Sequence, residues 1–265
     1  MTYLRLLGRV VLSFLRYLGE LAGLVGQIAE SLLHGRRRMR EFVNQIAEIG
    51  YRSQPVVIVT GAFTGAVLAA QSLFQFKLFN AESLAGALVS VGMLRELGPT
   101  FTGLMLAGRV GSAMAAEIGT MKVTEQVDAL RSMAVHPIDF LVTPRLLAMI
   151  VSVPLLIAES AAFGIIASYV VGVGTFQVPA VYWNFNVENY TDSSDIIIAM
   201  TKGLAFGVLI VIISCHQGLK ASQGATGVGR GTTNAMVFSS LAILIANFFL
   251  SLLMQMIFPA GVVAQ

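Results

Sequence analysis

Charged residues are scarce in this chain of 265 residues. Asp, Glu, Lys and Arg make up only 12% of it, whereas 56% of its residues are hydrophobic. Soluble domains carry roughly 25% charged residues, so this chain has too little charge to cover a globular surface. The mean hydropathy is +0.79. The composition therefore predicts a membrane protein.

Cysteine and histidine are equally sparse. The single Cys215 excludes an internal disulfide. The histidines, His34, His136 and His216, are not spaced as zinc ligands are. The formal charge of +3 could favour nucleic acid, but the basic residues lie in short stretches between apolar segments rather than in one patch. We therefore predict no metal, no cofactor and no nucleic acid partner.

Five apolar segments are long enough to cross a membrane, which takes about 20 residues. Their approximate bounds are residues 53–76, 83–108, 146–176, 196–213 and 234–258. Because lipid offers no partner to a free backbone amide, each segment is predicted to be helical. The predicted fold class is an all-α polytopic membrane protein, with residues 41–265 forming one five-helix domain.

Residues 1–40 form a separate amphipathic and basic segment ahead of the first span. Arg16 and Glu20 interrupt its apolar run, which is typical neither of a signal peptide nor of a transmembrane helix. Polar or small residues recur every three or four positions and apolar residues fill the opposite face. We expect this helix to lie along the cytoplasmic interface of the membrane. The alternative is a helix packed against the spans within the membrane.

Orientation follows from the connections, because Lys and Arg accumulate on the cytoplasmic side. The connections predicted to be cytoplasmic contain Arg36, Arg37, Arg38, Arg40, Arg52, Lys122, Arg131, Arg145, Lys220 and Arg230. The connection from Gln177 to Asp195 has no Lys or Arg and contains Glu188 and Asp192. The amino terminus is therefore predicted to be cytoplasmic and, after five crossings, the carboxyl terminus periplasmic.

The charged residues inside the spans are Arg95, Glu96, Glu159 and Lys202. Each costs roughly 2.5 to 3.5 kcal/mol at a helix centre on insertion scales, so each needs a partner or a wet cavity. Arg95 and Glu96 point about 100° apart on a helix and cannot face the same neighbour. We predict that these charges line a substrate site. The alternative is an ion-paired lock between helices that binds no ligand.

Two further features lie beside these charges. Pro99 removes the backbone hydrogen bond to the carbonyl of Arg95, which predicts a kink. Lys202 lies two helical turns from Asp195 and on the same face. Its ammonium is a candidate contact for a phosphate, and snorkelling to the interface is the alternative.

The segment from Glu117 to Asp139, between the second and third spans, is predicted to carry a short helix. Thr124, Val127, Leu130 and Met133 separate an apolar side from a charged side. A helix exposed below a membrane bundle is suited to docking in the groove of a soluble partner. A solvated loop helix is the alternative.

A glycine-rich stretch at residues 224–231 resembles a phosphate-binding loop. Arg230 and Gly231 stand where such a loop requires Lys and Ser or Thr. We interpret the stretch as a flexible cytoplasmic turn and predict that the chain does not hydrolyse ATP. Gly61 and Gly65 form a GxxxG in the first span, which predicts close helix approach and is compatible with a dimer seam.

Two other function classes fit the sequence less well. An ion-coupled secondary transporter could use Glu96 and Glu159, but the chain has no inverted repeat of the kind such transporters share. An intramembrane enzyme could use only the adjacent Cys215 and His216, which point about 100° apart on a helix.

Successive motifs resemble those of the MlaE permease family. In chain order they are Leu94–Pro99 (LRELGP), Ala107–Ala113 (AGRVGSA), Ala116–Gly119 (AEIG), Thr124–Gln126 (TEQ), Ala134–Pro137 (AVHP) and Pro144–Arg145. The resemblance in motif and span order extends over nearly the whole chain.

The resemblance implies a homodimeric permease, not itself an enzyme, in the Gram-negative inner membrane. It implies an ABC transporter that moves glycerophospholipid between the inner and outer membranes and maintains outer-membrane lipid asymmetry. The implied partners are a cytoplasmic ATPase that binds ATP and Mg, a STAS-domain protein and a periplasmic hexamer of MCE-domain subunits. A non-transporting scaffold for the same partners is the alternative.

The resemblance also implies site residues. The expected lipid-binding and translocation residues are Arg95, Glu96, Lys202 and Asp195, with acyl-chain contacts at Leu68, Leu73 and Phe74. The stretch of about 117–133 matches the coupling helix of the family, with expected ATPase contacts at Glu117, Met121, Thr124, Glu125, Asp128 and Leu130. Asn247 stands where some members of the family have an acidic residue.

Overall fold

The computed structural model describes residues 2–34, 39–222 and 224–258. These residues are overwhelmingly helical and include no strand, which confirms the predicted all-α class. The α-helices are α1 (Thr2–His34), α2 (Met39–Ile49), α3 (Gln54–Lys77), α4 (Ala85–Gly92), α5 (Gly98–Leu106), α6 (Ser112–Val123), α7 (Gln126–Ser132), α8 (Pro137–Leu141), α9 (Thr143–Tyr169), α10 (Ala180–Tyr190), α11 (Ser193–Leu219) and α12 (Gly224–Ile257).

Long apolar helices confirm a polytopic membrane protein. The described residues contain helical stretches long and apolar enough to cross a membrane at Met39–Lys77, Pro137–Thr175, Ser193–Leu219 and Gly224–Ile257. They include the first, third, fourth and fifth predicted spans. The second predicted span lies within a helical stretch from Glu82 to Val123, whose interior charges make it more polar than the others.

That second stretch is interrupted by two π-helical turns, at Met93–Leu97 and at Ala107–Gly111. Such widened turns are rare and concentrate at functional sites. Pro99 follows the first turn and cannot donate a hydrogen bond to the carbonyl of Arg95. The carbonyl oxygen of Arg95 instead accepts a hydrogen bond from Lys202 Nζ at 2.5 Å. The helical irregularity therefore creates part of a polar site.

Helices α3 and α9 pack with almost no space between their backbones. A Cβ atom at Gly65 would lie 2.1 Å from the carbonyl oxygen of Gly164, and one at Gly61 would lie 2.3 Å from that of Ser160. Only glycine fits at such distances. The GxxxG of the first span therefore forms a seam between helices of the same chain.

A short helix absent from the sequence prediction covers one end of the bundle. The connection between α9 and α11 contains α10, whose Trp183 is 1% exposed. Its indole fills the space over Gly86 and Gly172, where a Cβ atom would approach it to within 2.8 and 2.3 Å. This tryptophan anchors α10 on α4 and on the end of α9.

Helix α1 confirms the predicted amphipathic helix and contacts α8, α9 and α11. Its buried side includes Leu24, Ile28 and Ser31, whereas Leu18 on the other side is 44% exposed. The hydroxyl oxygens of Ser31 and Thr143 are 2.6 Å apart. Its location at the membrane interface and the boundary near residue 40 stay predictions. The basic residues 36–38, which were used to predict orientation, lie outside the described residues. So does the carboxyl terminus after residue 258, whose location was predicted.

The interpretation of residues 224–231 as a flexible turn is wrong, because they form the first turns of α12. Each interior glycine costs a helix about 1 kcal/mol relative to alanine. Packing offsets this cost: Gly231 is buried, and a Cβ atom at Gly119 of α6 would lie 3.5 Å from Val228 Cγ1.

Candidate functional site

Three helical stretches bring a network of charged and polar side chains together inside the bundle. The π turn at Met93–Leu97 carries Arg95 and Glu96, and α11 carries Asp195 and Lys202. Helix α12 adds the polar side chains of Asn247 and Ser251. The predicted charged residues therefore meet, with the exception of Glu159.

Arg95 pairs with Asp195 at the start of α11. Its Nε donates a hydrogen bond to Asp195 Oδ1. Asp195 is held from the other side by a capping box, in which its Oδ2 accepts from the backbone N–H of Asp192 at 3.0 Å. This carboxylate is 1% exposed. The helix cap therefore fixes the position of the anion that orients the Arg95 guanidinium.

Lys202 is fully enclosed. Its Nζ lies 2.9 Å from Glu96 Oε2 and donates to the carbonyl of Arg95 at 2.5 Å and to Ser251 Oγ at 2.8 Å. These partners saturate the donors of the ammonium. Its side chain is 0% exposed, so it does not snorkel to an interface. In this conformation Lys202 organises the network from within, and its contact with a phosphate stays a prediction.

Glu96 gives the network an open side. Its carboxylate accepts hydrogen bonds from Asn247 Nδ2 at 3.0 Å and from Ser251 Oγ at 2.8 Å, besides pairing with Lys202. Its side chain is nevertheless 45% exposed, and that of Arg95 is 19% exposed. The two adjacent residues pair with different partners, as the helical geometry predicts. The network thus combines two buried groups with two that reach a surface.

The residues predicted to contact acyl chains differ in exposure. Phe74 is 63% exposed, and its ring stacks edge to face on Phe176 at 5.2 Å between centroids. Leu68 is partly buried and lies over Gly92. Leu73 is 1% exposed and belongs to the core that surrounds Trp183. Only Phe74 and part of Leu68 present surface in this conformation.

The predicted coupling helix is two helices rather than one. Helix α6 ends at Val123, Glu125 has a φ of 59°, and α7 begins at Gln126. A left-handed residue cannot continue an α-helix, which is why the prediction of a single helix over residues 117–133 is wrong. Val127 is fully buried and Leu130 partly buried, which confirms part of the predicted apolar side, whereas Met133 follows α7 and is 63% exposed.

The predicted ATPase contacts therefore divide into two groups. Thr124, Glu125 and Asp128 are exposed at the turn and on α7. Asp128 pairs with Lys122 at 2.8 Å and with Arg131 at 3.0 Å. The hydrogen bond from Lys122, together with the charge of both cations, lowers the pKa of the Asp128 carboxyl below its ordinary value. The turn between α6 and α7 is thus tied by exposed ion pairs.

Glu117 and Met121 lie on α6, about one to two helical turns before the turn between α6 and α7. Glu117 pairs with Arg145 at 2.7 Å, and this arginine is 4% exposed. Met121 packs against the main core. Glu117 therefore connects α6 to the start of α9 and lies away from α7.

Sequence reasoning missed two contributors to the charge network and one buried cation. Asn247 was singled out only as a departure from the family, and Ser251 not at all, yet both bind Glu96. Their spacing of four residues on an otherwise apolar helix is a signal that could have found them. Arg145 was assigned to a connection, but lies buried in the first turn of α9.

Comparison with curated proteins finds relatives in several organisms. A probable ABC transporter permease protein of Rickettsia felis is 39% identical over 244 residues, which are 92% of this chain and 94% of that protein. The intermembrane phospholipid transport system permease protein MlaE of Haemophilus influenzae is 34% identical over 264 residues, 98% of each chain. The chloroplastic protein TRIGALACTOSYLDIACYLGLYCEROL 1 of Arabidopsis thaliana is 34% identical over 228 residues, 86% of this chain and 65% of that protein.

A family model described as Permease MlaE matches residues 42–253. The matched region runs from α2 to near the end of α12 and contains the whole charge network and both helices of the α6–α7 turn. The family match spans most of the chain, and the two bacterial relatives align with it over at least 94% of their own length. The chain therefore belongs to the MlaE permease family, the membrane-embedded permeases of ABC transporters.

Proposed function

We propose that this chain is the permease subunit of an ABC transporter that moves glycerophospholipid between the inner and outer membranes. The observation that carries the proposal is a charge network with an open side, built inside an otherwise apolar bundle. Buried charges that only held helices together would not need exposed members. The name of the Haemophilus influenzae relative supports phospholipid as the cargo.

Arg95 is the group that meets the phosphate of the lipid headgroup. Of the described residues, only Asp195 accepts a hydrogen bond from its guanidinium, through Nε. A guanidinium has five N–H donors, so the outer nitrogens are left for a ligand. Charge-assisted hydrogen bonds to a phosphate are among the strongest available to a protein. Asp195 and Lys202 hold Arg95 and Glu96 in place from behind.

The acyl chains lie against the exposed apolar surface near α3. Phe74 and the exposed part of Leu68 contact the chains directly, whereas Leu73, at 1% exposure, lies in the core beneath this surface. The contact with Phe176 holds the Phe74 ring in one orientation. This surface gives the lipid tails an apolar path beside the polar network.

The turn between α6 and α7 couples the permease to a cytoplasmic ATPase. Its exposed face carries Glu125 and Asp128, and the ATPase partner binds ATP and Mg. A cavity of about 720 Å³ lies behind α7, lined in part by Leu24, Val127 and Leu219. This space lets α7 shift toward α1 and α11 when the ATPase closes on ATP.

The complete transporter contains two copies of this chain, the ATPase, a small STAS-domain protein and a periplasmic hexamer of MCE-domain subunits. The permease lies in the Gram-negative inner membrane, with its amino terminus cytoplasmic and its carboxyl terminus periplasmic. Movement of α7 passes along α6 to the π turns of the same helical stretch. The open side of the network then changes its exposure and releases or takes up lipid.

Lipid content of the purified complex tests this proposal. The complex is extracted from membranes in mild detergent, and glycerophospholipid per permease is counted by mass spectrometry. Arg95→Gln keeps polar volume but removes the charge, and is expected to lower bound lipid several-fold while the partners still copurify. Glu188→Gln, a substitution of an exposed carboxylate in α10, is the matched control.

The same experiment separates transport from a scaffold role. A non-transporting scaffold is favoured by one observation, the saturation of Lys202 within the protein. In a scaffold, Arg95→Gln leaves bound lipid equal to that of the wild type and of the Glu188→Gln control. Equal lipid with intact assembly would contradict the proposed lipid site.

A further inference from the structure

Glu159 is the charged residue of the predicted spans that the network does not use. We infer that the outer face of α9 around Glu159 is a docking site for a transmembrane helix of another subunit, which brings a lysine or arginine to the middle of the membrane. This goes beyond the proposed lipid transport and does not depend on what the cargo is.

The position of Glu159 along α9 places it deep in the hydrocarbon. Arg145 lies 14 residues before it and Gln177 lies 18 residues after it. At a rise of 1.5 Å per residue, Glu159 is about 21 Å from the first polar end and about 27 Å from the other. Together these distances exceed the hydrocarbon core, which is about 30 Å thick, by roughly 18 Å. With the helix centred in the core, Glu159 lies roughly 12 Å from one boundary and roughly 18 Å from the other, beyond the reach of its side chain.

Glu159 is partly buried and lies on the outward side of α9, as the exposure of its neighbours shows. Leu155 is 63% exposed, Phe163 is 38% exposed and Ile166 is 58% exposed. Leu155 and Phe163 lie four positions from Glu159 and Ile166 lies seven, so all three share its side of the helix. Ala162, three positions away, lies on the same side. The opposite side is buried against α3 and α11. Glu159 thus stands within an apolar face directed at lipid.

No described residue satisfies this carboxylate. Within residues 2–34, 39–222 and 224–258, Glu159 makes no ion pair and no side-chain hydrogen bond. Ionisable residues within membrane spans almost always face a bundle interior, a wet cavity or a charged partner. A carboxylate on an outward face that lacks all of these is therefore expected to meet its partner in the assembled complex.

The surface beside Glu159 suits a helix rather than a loop or a soluble domain. Ala158 and Ala162 lie four residues apart on the same side, and small residues at that spacing let another helix approach closely. A loop could not satisfy its backbone at this depth. Leu155 and Ile166 extend the contact face above and below the carboxylate.

Charge complementarity selects another subunit over a second copy of this chain. The mid-membrane cations among the described residues are Arg95 and Lys202, and both are already paired within the chain. Two copies meeting through α9 would bring Glu159 near its own equivalent, which is repulsive. The occupant therefore supplies its own basic side chain.

A photocrosslinking experiment in intact cells tests the inference. A benzoylphenylalanine at Ile166 samples the proposed site, and one at Phe249, which is 63% exposed on the outward side of α12, is the matched control. We expect the Ile166 probe to yield an adduct with a transmembrane peptide that carries Lys or Arg at mid-depth. The Phe249 probe is not expected to give that adduct.

Substitution of Glu159 then decides whether charge recognition is the cause. Glu159→Gln is expected to lower the adduct yield about tenfold or more, because losing one member of a desolvated charge pair is costly. Replacing the partner's basic residue with Glu should restore the yield in a Glu159→Lys variant. The midpoint of thermal unfolding of the isolated permease should stay unchanged, since the carboxylate has no partner there.

Three results would overturn the inference. The first is the absence of any protein adduct at Ile166, or an adduct with lipid alone. The second is an adduct with another copy of this chain. The third is an adduct with a helix whose yield is the same in wild type and Glu159→Gln, because docking would then not depend on charge.

Discussion

Two groups of ion pairs in this chain use the same residue types in opposite surroundings. In the membrane, Lys202 and Asp195 are 0% and 1% exposed, and they hold Glu96 and Arg95. At the turn between α6 and α7, Lys122, Asp128 and Arg131 are 29%, 47% and 63% exposed. The pair lengths are similar, at 2.9 Å for Lys202 with Glu96 and 2.8 Å for Lys122 with Asp128.

Burial, and not the distance between the paired atoms, determines how much each group of ion pairs contributes to stability. An exposed pair gives typically 0.2 to about 1 kcal/mol, because water screens it and competes for its members. In a buried pair, removing one member leaves an uncompensated charge, at a cost of about 3 to 5 kcal/mol. The membrane network is therefore expected to be rigid and the α6–α7 turn adaptable, which suits a binding site and a docking element respectively.

The largest expected effect is that of Lys202→Ala. It leaves Glu96 without its cation and the Arg95 carbonyl without its hydrogen bond. Because Glu96 is 45% exposed, water screens part of the charge that remains, and the free energy of unfolding should fall by about 2 to 4 kcal/mol. Lys122→Ala is the matched control at the α6–α7 turn and should cost at most about 1 kcal/mol. Unfolding in detergent, followed by circular dichroism, measures both variants. Equal losses in the free energy of unfolding would contradict the difference proposed between the two groups of ion pairs.

Ser251→Ala should have an intermediate effect. The Ser251 hydroxyl accepts from Lys202 and donates to Glu96, so its loss leaves a buried ammonium short of one acceptor. The expected loss in the free energy of unfolding is about 1 to 3 kcal/mol. Ser132→Ala, which removes only an exposed bond to the Ala129 carbonyl, should change stability by less than about 0.5 kcal/mol. A larger effect at Ser132 would contradict the comparison.

Glu125→Lys tests the docking role of the turn with little effect on stability. The side chain is exposed, so the midpoint of unfolding should hardly change. Copurification of the ATPase should fall clearly, because the reversed charge faces the proposed partner. Glu188→Lys in α10 provides the same charge change at a site remote from α7. Unchanged ATPase recovery with Glu125→Lys would remove this residue from the docking surface.

The smallest expected effect is a pH dependence of the α6–α7 turn. The hydrogen bond from Lys122 lowers the pKa of Asp128 below the ordinary 3.8. Its stabilisation is therefore complete above that ordinary value and is lost as the pH falls through the lower folded value. The difference in unfolding midpoint between wild type and Asp128→Asn should be small at pH 7 and vanish once the pH has fallen below the lowered pKa of Asp128. A difference that persisted there would require another cause.

Several features of the site were predictable because they follow from local rules. Arg95, Glu96 and Lys202 stand out as charges within apolar segments, and their need for partners follows from the low polarity of lipid. Helical geometry correctly separates Arg95 from Glu96. The contribution of Ser251 does not follow from its residue type alone, because a lone serine in an apolar helix can donate to its own backbone. The Asn247 carbonyl lies 2.8 Å from the Ser251 hydroxyl, but the single hydroxyl proton serves either that carbonyl or Glu96 at one time.

The errors in the predicted elements have specific physical causes. The break at Glu125 depends on one left-handed residue, and nothing in the side chain of glutamate favours that conformation. Residues 224–231 are helical despite their glycines because this part of α12 packs on α6. Local helix propensity does not include such a tertiary contact. Helix α10 depends on the fit of Trp183 over distant glycines.

The sequence by itself determined the membrane environment, the helical class, the family and the charged residues that must find partners. These follow from composition, from the length of apolar segments and from ordered motifs, all of which are local along the chain. Only the tertiary structure decided that Arg95 pairs with Asp195, that Glu96 pairs with Lys202, and that Glu159 is left outside. Pairing depends on which helix faces lie together, and that is fixed by contacts between residues about 100 positions apart.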